Sequence, residues 1–186
     1  MGDAIHSAAF REALAHFASG VVIVTARGSE GLVGFTATGF TSVSLSPPLI
    51  LVCVNKTASA YDGVVGANHF GVSVLREDQR GLAERFATSG IDRFQGVDLH
   101  AGVSSPGEAS SPPSPPQAPP LPLIAGALAH IECRPHARHD AGDHTLLVGE
   151  VLCASTSTGR PLLHFARNFG ALAAPAVIPG RSPRVA

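Results

Sequence analysis

Hydrophobic and polar positions along the chain predict one short helix and then a succession of strands. Phe10, Leu14 and Phe17 fall at i, i+4 and i+7 with Ala13 beside them, an amphipathic helical stripe with Ser7 as N-cap and Gly20 as terminator. The β-branched run Val21-Val22-Ile23-Val24-Thr25 predicts a strand, and Arg27-Gly28-Ser29-Glu30-Gly31 its turn. Residues 32–45 follow, then a buried strand over 49–54. Residues 57–65 read as a short helix, 69–75 as an alternating strand and 76–86 as a helix with Leu82 and Phe86 on one side. Residues 123–138 and 145–155 are long strand segments separated by the turn signal Asp140-Ala141-Gly142-Asp143, and 162–172 closes the folded part. Six or seven strands with two or three helices do not repeat as βαβ units. They predict an antiparallel barrel with peripheral helices.

Composition changes this picture in one place. Eight of the 15 prolines lie within 104–122, SSPGEASSPPSPPQAPPLP, which holds almost no side chain able to build a core. That segment is expected to be a solvated insertion of disordered or polyproline-II character, with a ligand for a PxxP-binding domain as the alternative. The expected organisation is a single domain over 5–172, interrupted at 104–122 and followed by a flexible tail over 173–186. Lys plus Arg number 13 and Asp plus Glu 14, a net charge of −1, so no basic excess supports a charge-driven nucleic-acid partner. The longest strongly apolar run, at 49–54, falls far short of the roughly 20 residues of a membrane helix. The first residues, Met1-Gly2-Asp3-Ala4-Ile5-His6, have neither the basic nor the apolar region of a secretory signal. Cys53, Cys133 and Cys153 are odd in number and widely spaced, which favours a reducing cytoplasm over a disulfide framework.

Four segments carry candidate chemistry. Strand alternation over 34–49 puts Thr36, Thr38, Ser42 and Ser44 on one face with Phe40, a hydroxyl-rich surface suited to a polar ligand with an aromatic part, or to solvent. Val54-Asn55-Lys56-Thr57-Ala58-Ser59 leaves a buried strand for a helix. Its amides, hydroxyls and Lys56 suit a phosphate, while N-capping by Asn55, Thr57 or Ser59 is the alternative. Neither a Walker nor a GxGxxG glycine pattern is present. In Glu84-Arg85-Phe86-Ala87, Arg85 near a helix C-terminus answers the helix dipole or reaches a phosphate. His130, Cys133, His136 and His139 repeat at i, i+3, but on a strand such positions face opposite ways, so no metal site is expected there. His144, after Gly142-Asp143 at the start of a strand, suits a site mouth where imidazole bonds a ligand amide.

Six stretches in this order resemble one family. They are Phe17-Ala18-Ser19-Gly20-Val21, Gly34-Phe35-Thr36-Ala37 continuing through Phe40-Thr41-Ser42-Val43-Ser44, Pro47-Pro48-Leu49, and Ala83-Glu84-Arg85-Phe86. Ala141-Gly142-Asp143-His144-Thr145 and Gly149-Glu150-Val151 complete the set. Together they resemble the short flavin reductases of the split-barrel flavin-binding class, the reductase components of two-component monooxygenases. The resemblance runs from Phe10 to about Leu172, without residues 104–121. It implies a homodimer of six-stranded antiparallel split barrels, mainly β with peripheral helices, that reduces FMN or FAD with NADH or NADPH and supplies a monooxygenase through diffusing reduced flavin. Carried over, Thr36, Ala37 and Thr38 line the isoalloxazine and ribityl chain, and Ser42 continues that wall. Asn55, Lys56, Thr57 and Ser59 hold the phosphate end, assisted by Arg85 and Phe86. His144 positions the nicotinamide and Phe169 flanks it. The family often has Asn or Ser where this chain has Thr38, Ser at Gly39 and Tyr at Phe169. The competing expectations are a flavin carrier without enzymatic activity and a split-barrel oxidase of a pyridoxal-type substrate. The latter would need basic residues around a second phosphate, and none cluster here.

Overall fold

The computed structural model describes residues 7–101 and 120–173. In chain order these form α1 (Ser7–Ala15), β1 (Ser19–Gly20), β2 (Val22–Gly28), β3 (Gly31–Ala37), β4 (Phe40–Leu45), β5 (Pro48–Asn55), α2 (Tyr61–Val65) and β6 (Phe70–Val74). A 3-10 turn at Glu77–Gln79 leads into α3 (Arg80–Ala87), followed by β7 (Leu99–Ala101), β8 (Pro122–Ile124), β9 (Ala129–Ala141), β10 (His144–Thr156), β11 (Leu162–Phe165) and β12 (Asn168–Ala171). The protein is thus mainly β with few helices.

Seven strands make the principal sheet in the order β3-β2-β6-β9-β10-β5-β4, and every pairing in it is antiparallel. Its two edge strands, β3 and β4, are consecutive in the chain and joined only through Thr38-Gly39. A flat seven-stranded sheet would be roughly 29 Å wide. The link from Ala37 to Phe40 reaches roughly 11 Å. The sheet must therefore curl until its edges meet at this corner, where the Cys53 amide donates to the Gly39 carbonyl at 2.8 Å. No ladder joins β3 to β4 among the described residues. The expected six-stranded barrel is thus a curled sheet of seven strands, because segment 32–45 breaks at Thr38-Gly39 into two.

Strand β2 shows why the sheet has a core on each side. Alternation sends Val22, Val24 and Ala26 into the interior with Phe35, Val52, Phe70, Cys133 and Leu147, while Ile23, with neighbouring Val21, packs outward against Leu75, Ala83, Phe86 and Leu162. Helix α2 closes the inner core with Val64, and α3 covers the outer one with Ala83 and Phe86.

Several boundaries differ from expectation. Helix α1 leaves its apolar stripe outside the core, with Phe10 51%, Leu14 55% and Phe17 74% exposed. The helix expected over 57–65 shortens to α2, because the Asn55 carboxamide accepts from the Thr57 amide at 2.8 Å and holds a turn ahead of it. The proline-rich segment ends earlier than composition implies. Leu121 and Pro122 are buried, and Pro122 opens β8 opposite Ala101. Residues 102–119 and 174–186 lie outside the described residues. No helix among the described residues is long and apolar enough to cross a membrane.

Candidate functional site

The corner where the sheet edges meet opens into a cavity of about 310 Å³, lined by Phe35 to Gly39, Cys53, Asn55 and His144. This is at the lower end of the roughly 300–1,000 Å³ typical of small-molecule sites. Three elements build it. The end of β3 supplies Thr36, Ala37 and Thr38, the end of β5 supplies Cys53 and Asn55, and the start of β10 supplies His144 directly opposite Asn55 in the ladder.

The donors of this cavity are set by local bonds. Asn55 uses Oδ1 to accept from the Thr57 amide and the Thr57 hydroxyl, both at 2.8 Å, so its Nδ2 is the group left to offer. His144 Nδ1 lies 2.7 Å from Asp143 Oδ1, which leaves Nε2 for a ligand. That contact also acts on Asp143, whose carboxyl is held below its ordinary range first by the hydrogen bond from His144 and then by the charge of His144. Thr36 gives its hydroxyl to the Ala83 carbonyl at 2.7 Å, tying β3 to α3. The Thr38 side chain is exposed at the break between strands. Cys53, which no sequence signal singled out, borders the cavity as a neutral thiol, because burial pushes its pKa up.

The remaining candidate residues lie elsewhere. Ser42 is exposed on β4, because the strand break and a bulge between Ser42 and Ser44 end the continuous hydroxyl face. Lys56 turns to the β9–β10 hairpin, where Nζ bonds Asp140 Oδ1 and, at 2.6 Å, the Gly142 carbonyl. Thr57 is spent on Asn55. Arg85 donates to the Gln95 carbonyl. Phe86 is fully buried in the outer core, edge-on to Phe94 at 5.0 Å. Phe169 lies on β12 in the small sheet, beneath the Arg80 guanidinium at 5.8 Å.

Ser59 lines a second cavity, of about 230 Å³, with Leu32, Gly34, Ile91, Arg93 and Phe94. It borders a different stretch of the same strand, β3 contributing Leu32 to Gly34 here and Phe35 to Ala37 to the first cavity. Arg93 was not among the sequence candidates. It sits in a loop with no motif around it, and only the fold brings it to β3.

A polar rim of amide, hydroxyl and imidazole around an apolar floor suits a planar, hydrogen-bonding ring. Comparison with known proteins points the same way. The family model described as flavin reductase like domain matches residues 14–173. The chain is 41% identical over 165 residues, 89% of its length and 86% of the relative, to the FMN reductase (NADH) of Agrobacterium fabrum. It is 39% identical over 168 residues to the reductase component of 4-hydroxyphenylacetate 3-monooxygenase of Thermus thermophilus, covering 90% of this chain and 97% of that one. Among solved structures it is similar to the NADH:FAD oxidoreductase of Streptomyces globisporus in complex with NAD and FAD fragments, with TM-score 0.77 and 37% identity over 90% of this chain and 93% of that one.

Proposed function

Since the chain belongs to the family of flavin reductase like domains, we propose that it reduces FMN or FAD with NADH and releases reduced flavin to a monooxygenase. The observation that carries this reading is the cavity that gathers Thr36, Ala37, Thr38, Asn55 and His144 from three separate segments of the chain. A flavin held here would supply the redox chemistry, as the acceptor of a hydride from the nicotinamide. The chain supplies placement. Ala37 and Phe35 would floor the ring, Asn55 Nδ2 and the Thr38 hydroxyl would meet its polar edge, and His144 Nε2 would meet the nicotinamide amide. Asp143 fixes the imidazole at Nδ1, and hydride transfer itself needs no side-chain acid or base, so the role given to His144 is to orient a ligand. Ordering two rings at reactive distance contributes several of the roughly 7–11 kcal/mol obtainable from proximity.

A homodimer in the cytoplasm fits this reading. Helix α1 and the residues just after it expose Phe10, Leu14 and Phe17, and β4 exposes Val43 and Leu45, apolar surface that a second copy would cover. Sedimentation at a single-chain mass across micromolar concentrations would rule the dimer out. Three cysteines without disulfides suit a reducing compartment.

The deciding experiment mixes the protein with NADH and excess FMN in air and follows absorbance at 340 nm. Sustained turnover is expected. A single reduction, or none, would replace the enzyme reading with a flavin carrier.

A further inference from the structure

The turn that presents His144 is braced from outside its own hairpin. Gly142, at φ +64°, and Asp143 link β9 to β10. Their carbonyls have no partner in the ladder, and one residue takes both. Lys56 donates its backbone amide to the Asp143 carbonyl at 3.0 Å and its Nζ to the Gly142 carbonyl at 2.6 Å. The same ammonium pairs with Asp140. Register explains the meeting, since Asn55, the residue before Lys56, lies opposite His144 in the β10–β5 ladder. The contacts differ in weight. Asp140 is 81% exposed, so its ion pair is of the surface kind that contributes little. The bond to Gly142 is charge-assisted and ends on a backbone atom that cannot rotate away. Among the described residues no other side chain bonds either turn carbonyl.

The turn carries Asp143, and Asp143 carries the imidazole, with Oδ1 at 2.7 Å from His144 Nδ1. A carboxylate only accepts, so Nδ1 holds the ring proton in this contact and Nε2 is left as an acceptor for the first cavity, which His144 lines. The Asp143 carboxyl is held below its ordinary range first by the hydrogen bond from His144, and also by the Lys56 charge. We propose that Lys56 is a positioning residue for the nicotinamide seat. By closing the Gly142-Asp143 turn it fixes the Asp143 carboxylate, and through it the orientation and tautomer of His144. This deepens the reading of the first cavity as a flavin and NADH site and rests on it. Spacing alone marks Lys56 as a phosphate ligand. In the fold its ammonium is given to the hairpin instead.

The test compares wild type with Lys56→Met, which keeps the aliphatic stem, Lys56→Gln, which keeps a neutral donor, Lys56→Arg, and the double variant of Lys56→Met with His144→Ala. Thermal melts confirm folding, and Lys56→Gln stands in if Lys56→Met fails to fold. In the protein without flavin, imidazole nitrogen chemical shifts report the tautomer, with His144 assigned by its loss in His144→Ala. Wild type should hold the proton on Nδ1. Lys56→Met should move His144 toward the Nε2-protonated form of a free imidazole, and Lys56→Arg should stay near wild type. In steady state Lys56→Met should raise KM for NADH by about 2- to 5-fold, within the ceiling of one lost neutral hydrogen bond, with kcat little changed. The double variant should be no worse than His144→Ala alone. Fluorescence titrations should show FMN and riboflavin affinities both close to wild type. An unmoved His144 signal, an unchanged KM, or losses that add to those of His144→Ala would each overturn the role. Selective loss of FMN over riboflavin would also overturn it and return Lys56 to the phosphate. Any of these with wild-type turnover intact sinks the role of Lys56 alone, whereas a wild type that oxidises no NADH in the presence of FMN sinks the reductase reading with it.

Discussion

Replacing His144 by alanine removes the one imidazole that faces the first cavity and leaves the β10–β5 ladder intact. The ring is held by a 2.7 Å contact to Asp143 and contributes Nε2 to the site. A single neutral hydrogen bond is worth about 0.5–1.5 kcal/mol net, which corresponds to roughly 2- to 10-fold in affinity. His144→Ala should therefore raise KM for NADH by that factor with kcat little changed, the pattern of lost uniform binding. Its Kd for FMN should hold. Asp143→Asn tests the same chain one step back, since it weakens the bond that orients the ring, and its KM should rise by a smaller factor. If Asp143 works only through His144, the double variant will be no worse than His144→Ala alone. The pH behaviour has a definite sign. The folded-state pKa of Asp143 lies below its ordinary value near 3.8, so the contact is complete above that value and is lost only as pH falls through the lower one. At neutral pH, changes in NADH kinetics must then come from other groups. Stopped-flow and steady-state measurements with NADH and FMN provide the assay. Unchanged NADH kinetics in His144→Ala, or equal losses in NADH and FMN affinity, would refute the assignment.

Two further outcomes concern the frame around the site. Gly149→Ala should destabilise by about 1–3 kcal/mol through overpacking, because a Cβ there would lie 2.4 Å from Phe70 Cζ and 3.1 Å from Cys133 Cβ. That is a fall of roughly 2–10 °C in Tm, partly recovered by adding Phe70→Leu, and an unshifted melt would contradict this packing. Cys133, buried and with its thiol pushed up to about 12 by burial and by Glu132, should resist iodoacetamide in the folded protein. Mass spectrometry should find it unmodified until denaturant is added, and prompt labelling would show that the inner core opens readily.

How much of this was legible in the chain depended on how local the cause was. The run Val21–Thr25, the buried strand at 49–54 and the Gly142-Asp143 turn are written in β-branched side chains and turn residues, and each became what it predicted. The break at Thr38-Gly39 was not legible, since alternation runs through it without a proline, and a strand read as continuous became the two edges of a sheet. Thr36, Asn55 and His144 stand out in the sequence because each carries a polar group at a strand end, and all three line the first cavity. Cys53 and Phe35 were missed because inward-facing residues of buried strands look like filler. Phe86 shows the opposite error. A phenylalanine one turn after Leu82 on a helix is a core signature, and in the fold its ring is fully buried. Lys56 looked like a phosphate ligand because its partner Asp140 is 84 residues away, a distance no local pattern spans.

That remote pairing also bears on motion. The 55–59 loop is fastened to the β9–β10 hairpin by the Lys56 amide on the Asp143 carbonyl at 3.0 Å, and by Lys56 Nζ on Asp140 and the Gly142 carbonyl. The segment that borders both cavities and the turn that presents His144 are therefore one mechanical unit. Neither can swing aside without carrying the other, so amide hydrogen exchange should report a single opening event at the Lys56 amide and its neighbours in the loop and turn. Opening the 55–59 loop would then shift His144 in the same movement, so that whatever enters past the loop changes the seat that His144 offers.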